Sequence, residues 1–357
     1  MATPAFPPDD TALLAKGITG PIRRLHLNEG PQPPSPAVRE ALGWALENLH
    51  RYPDSQWHAL GGRLSSLIGV TADRIVLGNG SDQLVQMASD LCLAPGRSAV
   101  MPEPAFPRYA MAAQTRGAYL LQVPTRADGA CDIDGLLAAI RADTALVWVA
   151  SPNNPTGGMN SAEELAALAD GVPDGVLLAL DEAYFEFARE AGGADGLACL
   201  AQRRGPWLIF RTFSKAYGLA GLRCGYVIAS DGALARQFDK LRQAFQVNHL
   251  AQVAALAALN DEHDMRRRVC EIAAERRRLA DGLREQDFEP LPSFANFVTA
   301  RGLLPGNEVQ DHLLRRGVVV STVPATVPGF ERYIRITVGD SDDTDAVLQA
   351  LRDLQEP

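Results

Sequence analysis

The sequence predicts an α/β protein in which a mostly parallel sheet is sandwiched by helices, together with a smaller α+β domain. Short apolar runs alternate with helical patterns through the first two thirds of the chain. Both alternating faces of these runs are apolar, which is typical of strands covered by helices on each side. The runs occupy residues 98–101, 119–123, 146–150, 176–180 and 208–210. After Asn248, a long helical pattern precedes three further strand patterns, at residues 297–299, 318–320 and 334–338, which predict the smaller domain.

The chain divides into three predicted segments. Residues 1–36 are rich in proline and lack periodicity, so we expect an N-terminal arm that is part of the small domain. Residues 37–250 form the predicted large domain, and residues 251–357 form the small C-terminal α+β domain. A helical pattern at 37–49 is followed by the turn R-Y-P-D, in which the proline holds Tyr52 extended.

Composition and charge argue against several classes of protein. The chain has 357 residues, 46% of them hydrophobic and 22% charged, as in ordinary globular proteins. Its net charge of −9 argues against binding to nucleic acid or to an anionic membrane. The five cysteines are scattered and the histidines show no ligand spacing, which indicates reduced thiols, a cytoplasmic location and no metal site. The N-terminal residues lack a signal-peptide pattern, and no apolar run approaches the roughly 20 residues of a membrane helix.

The stretch from residue 207 to residue 230 carries the most distinctive chemistry. An apolar strand leads into T-F-S-K, and a glycine-rich segment then leads to Arg223 and a second apolar strand. Because lysine is rarely buried without a partner, Lys215 is either a surface loop residue or a functional amine. The second interpretation is a Schiff-base lysine that bonds to an aldehyde cofactor. The hydroxyls of Thr212 and Ser214 and the guanidinium of Arg223 favour it, because they can hold a phosphate beside the aldehyde.

Three predicted parallel strands end in polar residues suited to one site. The third strand is followed by Asn154, the fourth by Asp181 and Tyr184, and the fifth by Lys215. Ligands of open α/β sheets bind at the carboxyl ends of the strands, so these loops should converge. Singly, Asn154 suits a turn, Asp181 suits a helix cap and Tyr184 suits the core. Their occurrence in this order favours a shared site.

Pyridoxal phosphate (PLP) is the cofactor that this set of residues suits, because PLP acts as an electron sink when its ring nitrogen stays protonated. Asp181 can be the acidic partner of the protonated ring nitrogen, and Asn154 and Tyr184 can hydrogen-bond the phenolic oxygen. Lys215 suits the aldehyde, and its released amine can move a proton between the substrate carbon and the cofactor.

A glycine-rich turn between a strand and a helix offers further phosphate contacts. The run G-N-G-S-D at 78–82 opens a predicted helix, whose first backbone N–H groups, at Ser81 and Asp82, form an anion site. The same two side chains also suit a simple helix cap. A nicotinamide-linked oxidoreductase is a different interpretation of this turn, but Gln83 follows where that fingerprint needs its third glycine.

Motifs along nearly the whole chain make it similar to fold-type I, class-II PLP-dependent aminotransferases, and within them it resembles the histidinol-phosphate aminotransferase family. The motifs are L-N-E-G-P at 27, R-Y-P-D at 51, G-N-G-S-D at 78, S-P-N-N-P-T-G at 151, D-E-A-Y at 181, R-T-F-S-K-A-Y-G-L-A-G-L-R at 211 and I-R-I-T-V-G at 334. The resemblance implies amino-group transfer between L-histidinol phosphate and 2-oxoglutarate or glutamate, in histidine biosynthesis. It implies a homodimer in which Tyr52 reaches the cofactor phosphate of the neighbouring subunit. It also implies that Phe106 packs against the cofactor ring and that Arg335, with Asn154, contacts the substrate.

The sequence departs from that family where the substrate phosphate is bound. Ser321 stands where the family usually has a phosphate-binding arginine, and no tyrosine occurs near Ile18 in the N-terminal arm. For a phosphate substrate, Arg332, Arg23 and Arg24 are candidate replacements. The alternatives are an aminotransferase for aromatic or other amino acids and a related lyase such as a phosphothreonine decarboxylase. A non-catalytic cofactor-binding regulator is not expected, because no length remains for the DNA-binding domain that such regulators carry.

Overall fold

The computed structural model describes residues 22–323 and 327–355, so every predicted site residue is included. The expectations for residues 1–21, among them the region near Ile18, lie outside the described residues. The chain forms two compact units. The larger comprises Gln32–Ala273 and Pro292–Asn296, and the smaller comprises the described residues of Met1–Pro31, Ala274–Leu291 and Phe297–Pro357.

A seven-stranded sheet forms the centre of the larger unit. Strand β1 (Arg23–Leu25) belongs to the smaller unit, and the sheet of the larger unit contains β2 (Ile75–Asn79), β3 (Ser98–Glu103), β4 (Tyr119–Pro124), β5 (Thr144–Ala150), β6 (Leu177–Asp181), β7 (Trp207–Thr212) and β8 (Cys224–Ala229). The strands lie in the order β2-β8-β7-β6-β5-β3-β4. Neighbours from β4 to β7 pair in parallel, whereas β8 is antiparallel to β7 and β2. The predicted mostly parallel sheet is confirmed.

The central strands are buried along their whole length. Every residue of β5, β7 and β8 is buried, as expected for strands that are covered on both faces. The helices of the larger unit are α1 (Pro36–Leu46), α2 (His58–Ile68), α3 (Ser81–Cys92), α4 (Pro107–Thr115), α5 (Ile133–Ala138), α6 (Ala162–Gly171), α7 (Phe185–Glu190), α8 (Gly196–Leu200), α9 (Gly232–Phe238) and α10 (His249–Asn260).

Side-chain caps fix where several of these helices begin, and α3 is an exception. Ser161 and Glu164 form a capping box at α6, and the side chain of Asn248 accepts a hydrogen bond from the third residue of α10. The residue that precedes α3 is Gly80, which has no side chain to cap the helix. The first N–H groups of α3 are therefore available to an anion.

The smaller unit contains a five-stranded sheet. Helix α11 (Glu262–Arg284) begins in the larger unit and ends in the smaller one, which continues with β9 (Glu289–Pro290), β10 (Phe297–Arg301), α12 (Gly306–Arg315), β11 (Val318–Thr322), β12 (Tyr333–Thr337) and α13 (Ser341–Gln355). The strands lie in the order β1-β11-β12-β10-β9, with β1 parallel to β11 and the other pairs antiparallel. Ile334 and Ile336 are buried, whereas Tyr333 and Arg335, which alternate with them, are half-buried, so one face of β12 packs in the core.

The two units differ from the predicted domain boundaries. Residues 251–273 lie in the larger unit and not in the small domain. The reason is α10, whose buried residues Ala251, Ala255 and Leu259 belong to the hydrophobic core of the larger unit. The described residues of the predicted arm up to Pro31 belong to the smaller unit, and Arg23–Leu25 within them forms a strand, which was not predicted, that pairs with β11. Two of the three residues of this strand are arginines, so apolar periodicity gave no sign of it.

A buried ion pair joins the end of β6 to β7. The Nε atom of Arg211 donates to the Oε2 atom of Glu182 over 2.8 Å, and the two residues are 5% and 3% exposed. Asp195 accepts a second bond from the same guanidinium over 3.0 Å, and the N–H of Gly196 donates to the other Glu182 oxygen over 2.9 Å. Buried charges are tolerated when their partners satisfy them in this way, and they destabilise a protein strongly when one partner is removed.

We expect Arg211→Met to lower the free energy of unfolding by about 3–5 kcal/mol, because it leaves the Glu182 carboxylate buried without its cation. Urea denaturation of the two proteins measures the difference. The matched control is Arg284→Met, which removes an exposed ion pair with Asp281 that contributes about 0–1 kcal/mol. Equal losses in the two variants would contradict the structural role of the buried pair.

Candidate active site

The carboxyl ends of β5, β6 and β7 lie side by side. Ala150 pairs with Asp181, and Asp181 pairs with Phe210, so the last residue of β6 is flanked by both neighbouring strands. The loops that contain Asn154 and Lys215 leave the sheet from those two neighbours. The parallel register therefore brings together the strand ends whose polar residues the sequence analysis selected.

Asp181 is buried, and both of its carboxylate oxygens accept hydrogen bonds. The hydroxyl of Tyr109 donates to Oδ2 over 2.6 Å, and the N–H of Ala183 donates to Oδ1 over 2.9 Å. Burial raises the pKa of Asp181 to about 6, although the two hydrogen bonds oppose the rise. Each oxygen keeps a second lone pair, so this carboxylate is suited to a protonated ring nitrogen.

Two aromatic rings pack against Tyr109, the donor to Asp181. The ring of Tyr109 lies parallel to that of Trp148, with the centroids 4.5 Å apart and an interplanar angle of 7°. Phe106 meets Tyr109 edge to face, at 5.7 Å and 82°. Phe106 immediately precedes α4 and is half-buried, which leaves part of its ring accessible to a flat cofactor. This placement suits the role that the family resemblance implies for Phe106.

Gly80, Arg223 and the start of α3 form a cradle suited to a phosphate. Gly80 has a φ of +76°, and a Cβ atom there would overlap the guanidinium of Arg223. A Cβ atom on Gly225 would overlap the backbone nitrogen of Ser81. The two glycines thus allow the Arg223 side chain and the start of β8 to approach the beginning of the uncapped helix closely. A guanidinium and helix N–H groups at one place are the donors that bind phosphate.

Two hydroxyls lie where β7 ends, that of Thr212 in the last residue of the strand and that of Ser214 in the turn after it. The hydroxyl of Thr212 is 3.0 Å from that of Ser214 and 3.3 Å from the carbonyl oxygen of Cys224. Both residues are buried, so their hydroxyls are held in place. The carboxylate of Asp82 pairs with Arg108 over 2.7 Å, which compensates its negative charge next to the cradle. Asp82 is therefore suited to contribute its backbone N–H, as predicted.

The remaining predicted residues around the strand ends occupy three loops of the larger unit. Lys215 is half-buried in the turn after β7, where its carbonyl oxygen accepts the N–H of Gly218 over 3.0 Å. Tyr184 is 3% exposed and precedes α7. Asn154 is half-buried, in a loop shaped by Asn153, whose side chain donates to the carbonyl oxygen of Pro104 over 3.1 Å.

Tyr52 is 82% exposed, on the segment between α1 and α2. Its ring stacks on Phe245, with the centroids 4.5 Å apart and an interplanar angle of 12°. The neighbour of Phe245, Gln246, donates through its side chain to the carbonyl oxygen of Leu77 over 2.6 Å, which ties this segment to β2. The exposed ring of Tyr52 is accessible to a second subunit, and its contact with a partner's cofactor stays a prediction.

Arg335 belongs to the smaller unit, where it pairs with Ser321 across β11 and β12. Its Nη2 atom donates to the carbonyl oxygen of His26 over 2.6 Å and to the Ser321 hydroxyl over 3.2 Å. The Ser321 hydroxyl also donates to that carbonyl oxygen over 2.9 Å. Ser321 therefore helps to orient Arg335 and adds no charge. Arg23, one of the predicted replacements, pairs with Asp343 over 2.6 Å.

Sequence analysis missed Tyr109, which contacts the predicted cofactor partner Asp181 directly. A signal was present, because Tyr109 follows Phe106 by three residues at the start of a helix, a spacing that brings two side chains onto one face. The residue type did not indicate a contact with the site, since a tyrosine among apolar helical residues is usually part of the core.

Within residues 22–323 and 327–355, no cluster of histidine, cysteine, aspartate and glutamate is arranged to hold a metal ion. Over the same part of the chain, no helix is long and apolar enough to cross a membrane.

We expect Gly80→Ala to weaken PLP binding by about tenfold or more, the result of displacing one charge-assisted contact. The added methyl group would push the Arg223 guanidinium away from the start of α3, at a backbone φ that also disfavours alanine. Fluorescence titration of the cofactor-free protein with PLP measures the affinity. Gly221→Ala is the matched control, because a Cβ atom there meets nothing within 4 Å. Equal affinities in the two variants would remove Gly80 from the phosphate site.

Known aminotransferases are similar to this protein along nearly the whole chain. A histidinol-phosphate aminotransferase from Thiobacillus denitrificans is 42% identical over 330 residues, which cover 92% of this chain and 84% of the relative. One from a Geobacillus species is 38% identical over 335 residues, which cover 94% of this chain and 90% of the relative. The crystal structure of histidinol-phosphate aminotransferase from Sinorhizobium meliloti, in complex with pyridoxal-5'-phosphate, superposes with a TM-score of 0.90. It is 30% identical and covers 98% of this chain and 96% of its own.

The family model for aminotransferases of class I and II matches residues 23–351, a span that includes every residue predicted for the cofactor and the substrate. Membership of this family implies a PLP-dependent transaminase, in agreement with the arrangement of Asp181, the phosphate cradle and the three adjacent strand ends. The chain belongs to the class I and II aminotransferases.

Proposed function

We propose that this protein is a PLP-dependent aminotransferase that transfers the amino group between L-histidinol phosphate and 2-oxoglutarate or glutamate. The observation that carries the reaction is the position of Asp181, in register between the strands that lead to Asn154 and Lys215. The substrate assignment is supported by relatives named histidinol-phosphate aminotransferase, which are 36% and 42% identical over 96% and 92% of the chain.

When bound, PLP supplies an aldehyde that bonds to amines and a ring that accepts electrons from the substrate carbon. The buried carboxylate of Asp181 would hold a proton at the ring nitrogen. Asn154 and Tyr184 would hydrogen-bond the phenolic oxygen, and Phe106 would pack on the ring face. The amine of Lys215 would take the proton from the substrate carbon and deliver it at a neighbouring position, and the electron pair left behind would pass to the cofactor, which would keep the amino group.

The phosphate of the cofactor fits the cradle at Gly80 by charge and by space. Arg223 would supply the positive charge, and the N–H groups of Ser81 and Asp82 would supply helix donors. The Thr212 and Ser214 hydroxyls would add neutral donors. A Cβ atom on Gly80 would displace the Arg223 guanidinium from the start of α3, and this close approach supports assigning the phosphate there.

The proposal assigns the acidic end of the substrate to Arg335. One guanidinium suffices for a carboxylate, whereas a phosphate dianion needs further positive charge or further donors. Ser321 contributes a hydroxyl and no charge at the position where an arginine was expected. Arg23 is paired with Asp343 over 2.6 Å, and the other candidate supplementary cations are Arg24 and Arg332.

A second candidate function is transamination of aromatic or other amino acids, with the same cofactor chemistry. The bond between Ser321 and Arg335 favours it, because it leaves the charge of one guanidinium for one carboxylate. A related lyase, such as a phosphothreonine decarboxylase, is distinguished by its product, since it releases carbon dioxide and forms no 2-oxo product.

We also propose that the working form is a homodimer in which Tyr52 contacts the cofactor phosphate of the other subunit. Large apolar side chains are exposed shortly before Tyr52 along the chain, with Trp44 73%, Leu46 56% and Leu49 53% exposed. Phe245, which stacks on Tyr52, is 39% exposed. Several large exposed apolar side chains favour an interaction site, and a two-fold dimer is the commonest symmetric assembly.

The proposal also includes a cytoplasmic location and, besides the second subunit, small-molecule partners with no nucleic acid and no membrane. The five cysteines, all within the described residues, form no disulfide. Burial raises the pKa of Cys131 and of Cys224 to about 12, so these two thiols stay protonated and unreactive at neutral pH. Stable buried thiols are typical of proteins in a reducing compartment.

We expect Lys215→Ala to fold but to lose turnover by several orders of magnitude, because the variant has no amine to move the proton. The variant should also lose the absorbance band, at the boundary of the ultraviolet and visible regions, that we expect the wild type to show with PLP. Lys240→Ala is the control, since Lys240 is exposed and its amine donates to the side-chain oxygen of Gln237 over 2.9 Å. Transamination near the wild-type rate in Lys215→Ala would rule out this lysine as the functional amine.

We expect Tyr52→Phe to weaken PLP binding by about tenfold, the result of losing one hydrogen bond to a charged group. The subunit fold should not change, because the side chain is 82% exposed. Fluorescence titration and light scattering measure affinity and assembly, and Tyr119→Phe, at an exposed tyrosine on β4, is the matched control. A protein that is monomeric and fully active at assay concentration would overturn the proposal.

We expect Ser321→Arg to raise the efficiency for histidinol phosphate by up to about tenfold, equivalent to about 1.4 kcal/mol. The added guanidinium would supply the positive charge that a phosphate dianion needs. The measurement is the ratio of kcat/KM for histidinol phosphate and phenylalanine, with 2-oxoglutarate as acceptor, in both proteins. Thr322→Arg, one residue further along β11, is the control. A wild type that prefers phenylalanine would replace histidinol phosphate by an aromatic amino acid.

A further inference from the structure

Tyr109 is buried beside the cofactor site and has no part in the reaction described so far. We propose that Tyr109 is a positioning residue for Asp181, whose hydroxyl keeps that carboxylate fixed and ionised for the ring nitrogen of the cofactor. The inference rests on the proposed function for its consequence in catalysis. Its effect on Asp181 itself can be measured in the protein without cofactor.

The packing of the Tyr109 ring holds its hydroxyl in place. The residue is 1% exposed, and its ring is stacked on Trp148 and in edge-to-face contact with Phe106. The indole N–H of Trp148 has no hydrogen-bond partner among the described residues, so the Trp148 side chain contributes to this packing through its ring. Because the phenol is held on both sides, its 2.6 Å bond fixes Oδ2 of Asp181 while the N–H of Ala183 fixes Oδ1.

The direction of this hydrogen bond is also fixed. Burial, and then the charge of Asp181, raise the pKa of Tyr109 well above its ordinary value, so the phenol remains protonated and donates. The other titratable groups near the pair are Cys131 and Tyr184, which raise the pKa of Tyr109, and Glu182, which raises that of Asp181. Tyr109 is the larger of the two hydrogen-bond effects that lower the pKa of Asp181.

The sign of the effect on stability follows from these shifts. The pKa of Asp181 in the folded, cofactor-free protein, about 6, lies above its ordinary value, so ionisation of Asp181 costs stability as the pH rises toward and through 6. Without the Tyr109 hydroxyl the folded-state pKa rises further. Relative to the wild type, the variant then loses additional stability as the pH rises from 6 to its own, higher pKa of Asp181. Below that interval, the two proteins do not differ in this contribution.

The test uses Tyr109→Phe, which keeps the stacked ring and removes only the hydroxyl, with Tyr119→Phe as the matched control. Urea unfolding of the cofactor-free proteins is measured from about pH 5 to about pH 8. We expect the folding equilibrium constant of Tyr109→Phe to fall relative to the wild type above about pH 6, by tenfold for each unit that the pKa of Asp181 rises. A difference that is constant with pH would reduce Tyr109 to a packing residue and overturn the proposal.

A second variant isolates the partner of the hydroxyl. In an Asp181→Asn background the carboxylate is absent, so adding Tyr109→Phe should have the same effect on unfolding at every pH. A pH-dependent effect that persists in this background would assign it to another group and overturn the proposal. This comparison remains valid if one variant is much less stable, because the quantity compared is how the free energy of unfolding changes with pH and not its absolute value.

PLP titration then separates the inference from the proposed function. We expect Tyr109→Phe to bind PLP about tenfold more weakly than the wild type and Tyr119→Phe, with a lower kcat. If the wild type binds PLP and Tyr109→Phe binds it equally well with the same kcat, the positioning role fails and the proposed function stands. If the wild type does not bind PLP, the proposed function fails, and the pH dependence of unfolding still decides whether Tyr109 controls the charge of Asp181.

Discussion

The parallel register of β5, β6 and β7 is the constraint on which the candidate site depends. Because Ala150, Asp181 and Phe210 lie side by side, the loops that follow these strands leave the sheet at one edge. A slip of one residue would turn Asp181 to the opposite face of the sheet. The ion pair of Glu182 and Arg211 opposes such a slip, since it links the residues that follow Asp181 and Phe210 in the two strands.

Two consecutive buried acids, Asp181 and Glu182, differ in the charge of their hydrogen-bond partners. Glu182 is paired with a guanidinium, whereas the hydrogen bonds described for Asp181 come from a phenol and a backbone N–H, which are neutral. A buried carboxylate that has neutral donors alone is costly to ionise, as its pKa of about 6 indicates. The protonated ring nitrogen of PLP would supply the missing positive charge, so cofactor binding and ionisation of Asp181 support each other.

The sequence was sufficient to predict the fold class and the polar residues that follow the central strands, because both depend on local patterns of apolar and polar residues. Tyr109 was not predicted, since its role depends on a contact with Asp181, 72 positions away along the chain. The larger compact unit runs to Ala273, beyond the boundary predicted at residue 250, and the alanine-rich helix α10 has no sequence feature that shows which unit it packs in. The sequence revealed that Ser321 is not an arginine, but its bond to Arg335 depends on the antiparallel register of β11 and β12.

The central claim is that one of the three lysines of this chain, Lys215, reacts with the cofactor. The most direct measurement is to mix the protein with PLP, reduce it with borohydride, and map the modified peptide by mass spectrometry. The account predicts stoichiometric modification of Lys215, and little modification of Lys16 or Lys240. Modification confined to Lys16 or Lys240, or no modification at all, would contradict it.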